Sequence, residues 1–211
     1  MPESVPLPSR RIIDPAAIRS VYPILGSLVI PRPIAWVSTR SVDGVDNLAP
    51  HSFFTVVSTS PPVVIVSSMG EKDTVRNARE TGEFVVCGSP ADQIDAINRT
   101  AVEFPAHLSE FDEIGLTREP SDVVAPPRVA ESPCALECRT LRIDPIGNGL
   151  VIYGEVVSIA IDESVMDGNR VDPLRLDPIA RLGGSEWSSL GDVVTRNRLS
   201  LEEFAEERET R

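Results

Sequence analysis

The chain has little lysine and histidine, and these scarcities narrow the chemistry it can perform. One lysine, Lys72, stands against nineteen arginines among its 211 residues, and the histidines are His51 and His107. Two histidines restrict triad and metal hypotheses, and no H-E-x-x-H motif is present. The sequence also lacks G-x-G-x-x-G after a strand and G-x-x-x-x-G-K-[ST], which argues against Rossmann and P-loop nucleotide sites.

Cysteine is also scarce, and the three present form no recognisable framework. Cys87, Cys134 and Cys138 are an odd number, which suits reduced thiols in a cytoplasm better than a disulfide scaffold. A zinc site at Cys134-x-x-x-Cys138 lacks a second pair of ligands. Residues four apart in a strand share a face, so we expect core packing for this pair and no metal.

Excess positive charge and long apolar runs are missing as well. The formal net charge is −12, so a phosphate backbone would be repelled and no nucleic-acid partner is expected. No apolar run approaches a membrane span, and the N-terminus lacks the pattern of a signal peptide. The sequence therefore predicts a cytoplasmic protein without membrane association.

The stretch from residue 31 to residue 74 organises the chain. It contains three short apolar runs that each end in small polar residues, namely Ser38 and Thr39, His51 and Ser52, and Ser67 and Ser68. Phe53 and Phe54 point to opposite faces of a strand, so at most one of them contacts a ligand. The pattern predicts a cluster of strand ends that holds a phosphorylated, planar cofactor.

A helix is predicted directly after the last of these runs. Asp73 is a good N-cap for residues 74–82, and Gly82 is a good C-terminal stop. A helix N-terminus attracts phosphate, and here Lys72 adds a full positive charge and Thr74 a hydroxyl. The alternative is that Lys72 is an ordinary surface lysine.

Turn signals elsewhere indicate an antiparallel, mainly β fold with few short helices. Asp43-Gly44 predicts a tight turn, and the Gly-rich segment 145–149 joins two long β-branched strands at 134–143 and 150–162. Short helices are expected at 91–99 and 109–114, and Ser200 to Glu203 forms a capping box for a terminal helix. Residues 1–20 are expected to form an arm with one amphipathic piece at 15–22, residues 21–190 the domain, and residues 191–211 a helical tail.

The order PRPIAWVST, DG, NLAPHSFF, a Pro-Pro strand and KDT resembles the flavin reductase-like, FMN-binding split-barrel family over roughly residues 20–190. The resemblance implies a six-stranded antiparallel Greek-key split barrel that forms a homodimer with FMN near the subunit interface. It also implies that the segment after residue 47, the strand ending at Ser67 and the residues around KDT hold FMN. The predicted cofactor site comprises Ser38, Thr39, Asn47, Leu48, Ala49, Ser52, Phe53, Ser67, Ser68, Lys72, Asp73 and Thr74.

Three further residues are candidates for substrate contacts, each with an ordinary alternative. His51 could contact a nicotinamide carboxamide or a substrate anion, although a lone histidine is more often structural. Arg181 in a Gly-rich loop could bind dinucleotide phosphates, and Trp187 could cover the flavin; otherwise they are a loop arginine and a surface aromatic. Ser38 and Thr39 could likewise be ordinary polar residues at a strand end.

The resemblance implies an NAD(P)H-dependent flavin reductase, because hydride transfer through FMN needs few ionisable side chains from the protein. Electrons would pass to free flavin, a partner monooxygenase or another small-molecule acceptor. An electron carrier or sensor that holds FMN without oxidising NAD(P)H is the alternative. A split barrel with another ligand, such as a pyridoxal-type phosphate or haem, is a more distant one.

Overall fold

Strands dominate residues 8–209, the part of the chain that the computed structural model describes. The strands are β1 Arg32–Pro33, β2 Ala35–Arg40, β3 Asp46–His51, β4 Phe54–Thr59, β5 Pro62–Met69, β6 Glu83–Cys87, β7 Arg118–Glu119, β8 Arg128–Val129, β9 Cys134–Ile146, β10 Gly149–Ile161, β11 Met166–Asp167, β12 Arg170–Val171, β13 Ala180–Arg181 and β14 Trp187–Ser188. The α-helices are α1 Tyr22–Leu28, α2 Asp73–Thr81, α3 Ile94–Arg99, α4 Glu110–Ile114, α5 Pro173–Leu176 and α6 Leu201–Glu209. The mainly β class predicted from the sequence is confirmed.

One antiparallel sheet of seven strands forms the body, in the order β3-β2-β6-β9-β10-β5-β4. Six strands were predicted, and the difference is small: β4 is an edge strand that pairs with β5 alone. The sheet curves until β3 contacts β5, which brings the ends of these two strands together. A separate small sheet, β1-β13-β14, lies beside the body.

The two hairpins predicted from turn residues are both present. Gly44 has φ +84° in the β2–β3 turn, a backbone conformation that glycine adopts without steric cost. The long β9–β10 hairpin turns at Gly147, whose φ is +59°. Inside β10, a Cβ on Gly154 would lie 2.2 Å from Cζ of the buried Phe84, so this strand position must be glycine for the ring to pack.

Two apolar clusters lie on opposite faces of β2, whose side chains alternate between them. Trp36 packs with Leu48, Ile97 and Phe111 in one cluster. Ala35 and Val37 contribute to the other, which contains Phe84, Ile152 and the α2 residues Val75 and Ala78. Because both faces are covered, β2 is buried along most of its length, and α2 is held firmly against the sheet.

The helices are short, and the structure corrects two of the predictions about them. The amphipathic piece expected at 15–22 is a single 3-10 turn at Pro15–Ala17, and the helix α1 begins only at Tyr22. The N-cap of α2 is Lys72 rather than Asp73, which is the first helical residue. The first seven residues of the predicted arm and the last two of the tail lie outside the described range.

Other helix predictions are confirmed. A 3-10 turn at Ala91–Gln93 leads into α3, and α4 follows at 110–114. In the capping box of α6, Ser200 N–H donates to Glu203 Oε2 and Glu203 N–H donates to Ser200 Oγ. Within residues 8–209, the helices fall short of the length and apolar character that crossing a bilayer requires.

Candidate functional site

A cavity of about 600 Å³ opens where the ends of β3 and β5 meet the N-terminus of α2. Its walls also include the loop after α3 and the first residue of α1. The lining residues are Tyr22, Asn47, Ala49, Pro50, His51, Ser52, Phe53, Ser67, Ser68, Met69, Glu71, Lys72, Asp73, Thr74, Thr100, Ala101, Val102, Glu103, Phe104 and Glu110. Ten of the predicted site residues are therefore together around one cavity.

The N-terminus of α2 gives one end of the cavity an anion-attracting character. The first intrahelical bond runs from Arg76 N–H to Lys72 O at 3.0 Å, so the N–H groups of Asp73, Thr74 and Val75 have no helical carbonyl to bind. No side chain caps the helix at Lys72. N–H groups without helical partners and the helix dipole favour an anion at this position.

Lys72 and Asp73, two of the charged residues at this end, are both engaged with other side chains. Lys72 Nζ lies 3.1 Å from Glu103 Oε1, and both side chains are at least half exposed, so the pair contributes little and is easily exchanged for another anion. The Asp73 carboxylate pairs with Arg76 on the next turn of α2. The Asp73 carboxylate is thus balanced by Arg76, whereas the sequence predicted that Asp73 caps the helix.

His51, Thr74 and Asn47 form a buried polar cluster beside Lys72. His51 Nε2 lies 3.1 Å from Thr74 Oγ1, and Asn47 Nδ2 lies 3.5 Å from the same oxygen. Burial, and secondarily the charge of Lys72, lowers the pKa of His51 to about 4, because both disfavour the imidazolium form. The imidazole is therefore neutral at pH 7, and it carries a single N–H.

Another wall of the cavity is aromatic and is held by the buried Arg32. Phe53 lines the cavity and stacks at a tilt on Tyr22, with ring centroids 6.4 Å apart. Phe54 packs instead against the core, so one phenylalanine of the pair faces each way, as the alternation predicted. Arg32 lies over Phe53 at 5.8 Å from the ring centroid, and its Nε donates to Ser52 Oγ at 3.2 Å.

Arg32 ties this wall to two distant segments. Its NH1 group donates to the carbonyls of Gly26 and Val29 at the end of α1, and its NH2 group donates to Leu182 O at 2.7 Å. The side chain is buried, and carbonyl oxygens surround its charge. Arg32 therefore sets the position of Ser52 and Phe53 relative to α1 and the β13 segment.

The remaining wall was not predicted from the sequence. The loop residues 100–104 and Glu110 of α4 line the cavity, although the sequence predicted no site residue in this segment and only the short helix at 109–114. Trp36 Nε1 donates to Thr100 Oγ1 at 2.9 Å, which holds the loop against the core. Glu110 Oε2 accepts from Leu48 N–H at 2.8 Å, and burial raises the pKa of this carboxyl. No local sequence pattern marks Glu110, because its burial depends on the packing of α4 against β3.

Three of the predicted cofactor residues do not line the cavity. Ser38 and Thr39 are fully buried in β2, and Thr39 Oγ1 accepts from Asn77 Nδ2 of α2 at 3.1 Å. Leu48 lies in the core cluster with Trp36. The polar end of β2 is covered by α2, so the Thr39 hydroxyl binds the helix rather than facing the cavity, and the buried Ser38 Oγ has no hydrogen-bond partner among residues 8–209.

The candidate substrate residues Arg181 and Trp187 also lie away from these walls. They are cross-strand partners in the small sheet, with the guanidinium 4.5 Å from the indole centroid. Arg181 NH2 donates to Gly184 O at 2.7 Å. Both side chains are half-buried, and neither is a lining residue of the cavity.

Comparison with known proteins identifies the family to which this architecture belongs. Residues 26–175 match the model of the flavin reductase like domain family. An uncharacterised protein of Aquifex aeolicus is 40% identical over 174 residues, which cover 80% of this chain and 89% of that protein.

Two solved structures are also similar. The first is nitrilotriacetate monooxygenase component B from Bacillus cereus, with a TM-score of 0.88 and 34% identity over 90% of this chain and all of that one. The second is Pseudomonas fluorescens 2-nitrobenzoate 2-nitroreductase, with a TM-score of 0.84 and 27% identity over 90% of this chain and 98% of that one. With its split-barrel sheet and the family match over residues 26–175, the chain belongs to the flavin reductase-like domain family.

Proposed function

We propose that the cavity binds FMN with its phosphate at the N-terminus of α2. The uncapped N–H groups of α2, the ammonium of Lys72 and the hydroxyl of Thr74 are the donors that a phosphate monoester requires. No other lysine or arginine lines the cavity among residues 8–209. This single anion-attracting end, beside an aromatic wall, is the observation that carries the proposal.

The rest of the predicted site fits the flat, polar-edged part of the cofactor. Asn47, Ala49, Ser52 and Ser67 line the same cavity as Phe53. These residues offer hydroxyl, amide and main-chain groups to a planar ring and its polar edge, and Phe53 offers an aromatic face. We assign ring contacts to this group and phosphate contacts to residues 72–74.

We further propose that the protein oxidises NAD(P)H and passes the electrons to free flavin, a partner oxygenase or another acceptor. FMN, when bound, supplies the hydride-accepting chemistry, and the protein supplies position and exclusion of water. The similar protein from Bacillus cereus is named as a component of a monooxygenase, which supports an oxygenase as one partner. The other similar structure is named as a nitroreductase, which supports an organic acceptor.

The proposal is tested by following NADH and NADPH oxidation in the presence of added FMN. We expect steady oxidation of at least one of the two dinucleotides, with a rate that depends on FMN concentration. Oxidation that is no faster than with heat-denatured protein, under conditions where FMN binds, would contradict the reductase function.

One observation favours an electron carrier or sensor as the second candidate. Arg181, expected to bind the dinucleotide phosphates, and Trp187, expected to cover the flavin, do not line the cavity of their own chain. A carrier would bind FMN and show no NAD(P)H oxidation, so the same assay separates the two functions.

We also propose a homodimer, in which residues 1–20 and 191–211 act as arm and tail around the domain 21–190. Leu25, Leu28 and Val29 of the α1 segment are 48%, 72% and 61% exposed, and Phe204 of the tail is 54% exposed. Large apolar side chains grouped in one exposed segment favour an interaction site there. Light scattering should give a mass of about twice 22.9 kDa at micromolar concentration. A mass of one chain would contradict the dimer.

The proposed compartment is the cytoplasm, where the cysteines would stay reduced. Cys87 and Cys138 are buried, and burial raises the pKa of each thiol to about 12. Cys134 is half-buried and is also a free thiol. Thiols in these positions stay protonated at neutral pH and suit packing rather than reaction.

A further inference from the structure

The hydroxyl of Thr74 lies within hydrogen-bond distance of two buried polar side chains, those of Asn47 and His51. A threonine hydroxyl has one hydrogen to donate and two lone pairs to accept with. Asn47 Nδ2, at 3.5 Å, can only donate to Thr74 Oγ1, whereas His51 Nε2, at 3.1 Å, donates or accepts according to its tautomer. All three residues are at least nine-tenths buried, and all three line the cavity. The tautomer of His51 therefore decides where the Thr74 proton points.

The two tautomers have opposite consequences for an anion. If His51 Nε2 carries no proton, it takes the Thr74 hydrogen and leaves an oxygen lone pair toward the cavity. If Nε2 carries the proton, both lone pairs of Thr74 Oγ1 are occupied by donors, and the hydroxyl hydrogen is left for a third group. That hydrogen then joins the N–H groups at the start of α2 and the Lys72 ammonium, which all suit an anion.

We propose that His51 keeps its proton on Nε2 and is a positioning residue that turns the Thr74 hydroxyl toward the phosphate of the cofactor. The role rests on the proposed binding of FMN, and it replaces the nicotinamide contact expected from the sequence. His51 is neutral at pH 7, so one N–H is available and its placement is a true choice. His51 acts on the phosphate through Thr74.

The first test is the protonation state of the His51 ring nitrogens, read by ¹⁵N NMR of the full-length protein. His107 is exposed and outside the cavity, so His107→Asn leaves one imidazole to observe. We expect Nε2 to be protonated and Nδ1 unprotonated at pH 7 in the protein saturated with FMN. A bound protein in which Nδ1 carries the proton and Nε2 does not would overturn the proposal.

The second test is a double-mutant cycle on FMN affinity, with riboflavin as the matched ligand that lacks phosphate. His51→Phe and Thr74→Val should each raise the dissociation constant for FMN about three- to ten-fold. The double variant should have a dissociation constant no higher than that of the single variant that binds FMN less tightly. Riboflavin affinity should stay within about two-fold. His51→Gln and Thr74→Ser, which keep a donor and a hydroxyl, should recover most of the loss.

The outcomes separate this inference from the proposed function. If the wild-type protein binds FMN, two results for the variants would overturn only the positioning role of His51. These are additive losses of FMN affinity in the double variant, or equal losses of affinity for riboflavin. A wild-type protein that binds no FMN would overturn the proposed function and this role with it. Thermal melts of each variant check the fold, and the conservative variants His51→Gln and Thr74→Ser keep the test decisive if His51→Phe is unstable.

Discussion

Replacing Lys72 with alanine should raise the dissociation constant for FMN about ten- to hundred-fold, which is roughly 1.5–3 kcal/mol of binding free energy. The reason is that a charged hydrogen bond to the phosphate is lost at the one cationic side chain on the cavity wall within residues 8–209. The Glu103 carboxylate that pairs with Lys72 is exposed, so it competes only weakly with a phosphate. Titration of flavin fluorescence measures the change.

Two controls accompany Lys72→Ala: riboflavin as the ligand without a phosphate, and Lys72→Arg as the variant that keeps the positive charge. Riboflavin lacks the phosphate, so its affinity should be nearly unchanged. Lys72→Arg should recover only part of the loss, because a planar fork does not replace a compact ammonium. The melting temperature without FMN should barely move, since the Lys72–Glu103 pair lies at the surface. A Lys72→Ala protein that binds FMN as wild type does would place the phosphate elsewhere.

Arg32→Met should lower the free energy of unfolding by about 2–4 kcal/mol, because the buried carbonyl of Gly26 and the partly buried carbonyls of Val29 and Leu182 lose their donor. For a chain of this length the melting temperature should fall by about 5–15 °C. Ser52 and Phe53 also lose their contacts with Arg32, so the affinities for FMN and for riboflavin should fall by the same factor. Chemical denaturation and flavin titration measure the two effects.

The equal loss for both flavins distinguishes Arg32 from Lys72. Arg32→Lys keeps the charge but cannot reach four acceptors in three segments, so it should recover a minor part of the stability. A stability loss below about 1 kcal/mol would show that water replaces the guanidinium at these carbonyls. A loss of FMN affinity without loss of riboflavin affinity would instead make Arg32 a phosphate ligand.

Elements defined by local chemistry were predictable from the sequence. The β9–β10 hairpin follows from β-branched strands on either side of a Gly-rich turn, and α6 follows from the Ser200–Glu203 capping box. Gly82 ends α2 with φ +75°, as its position indicated. The start of α2 was misplaced by one residue, because Asp73 is a good N-cap by type but pairs with Arg76 instead.

By itself, the sequence determined the mainly β class, most strands and the presence of a helix directly after Lys72, because turns, caps and alternation depend on neighbouring residues. Tertiary structure alone decided which polar strand ends face the cavity. Thr39 and Thr74 are both hydroxyls beside strand or helix ends, yet α2 covers the first and presents the second. The physical reason is that the exposure of each hydroxyl depends on contacts between segments distant in the sequence. No local sequence pattern predicts which of these segments meet.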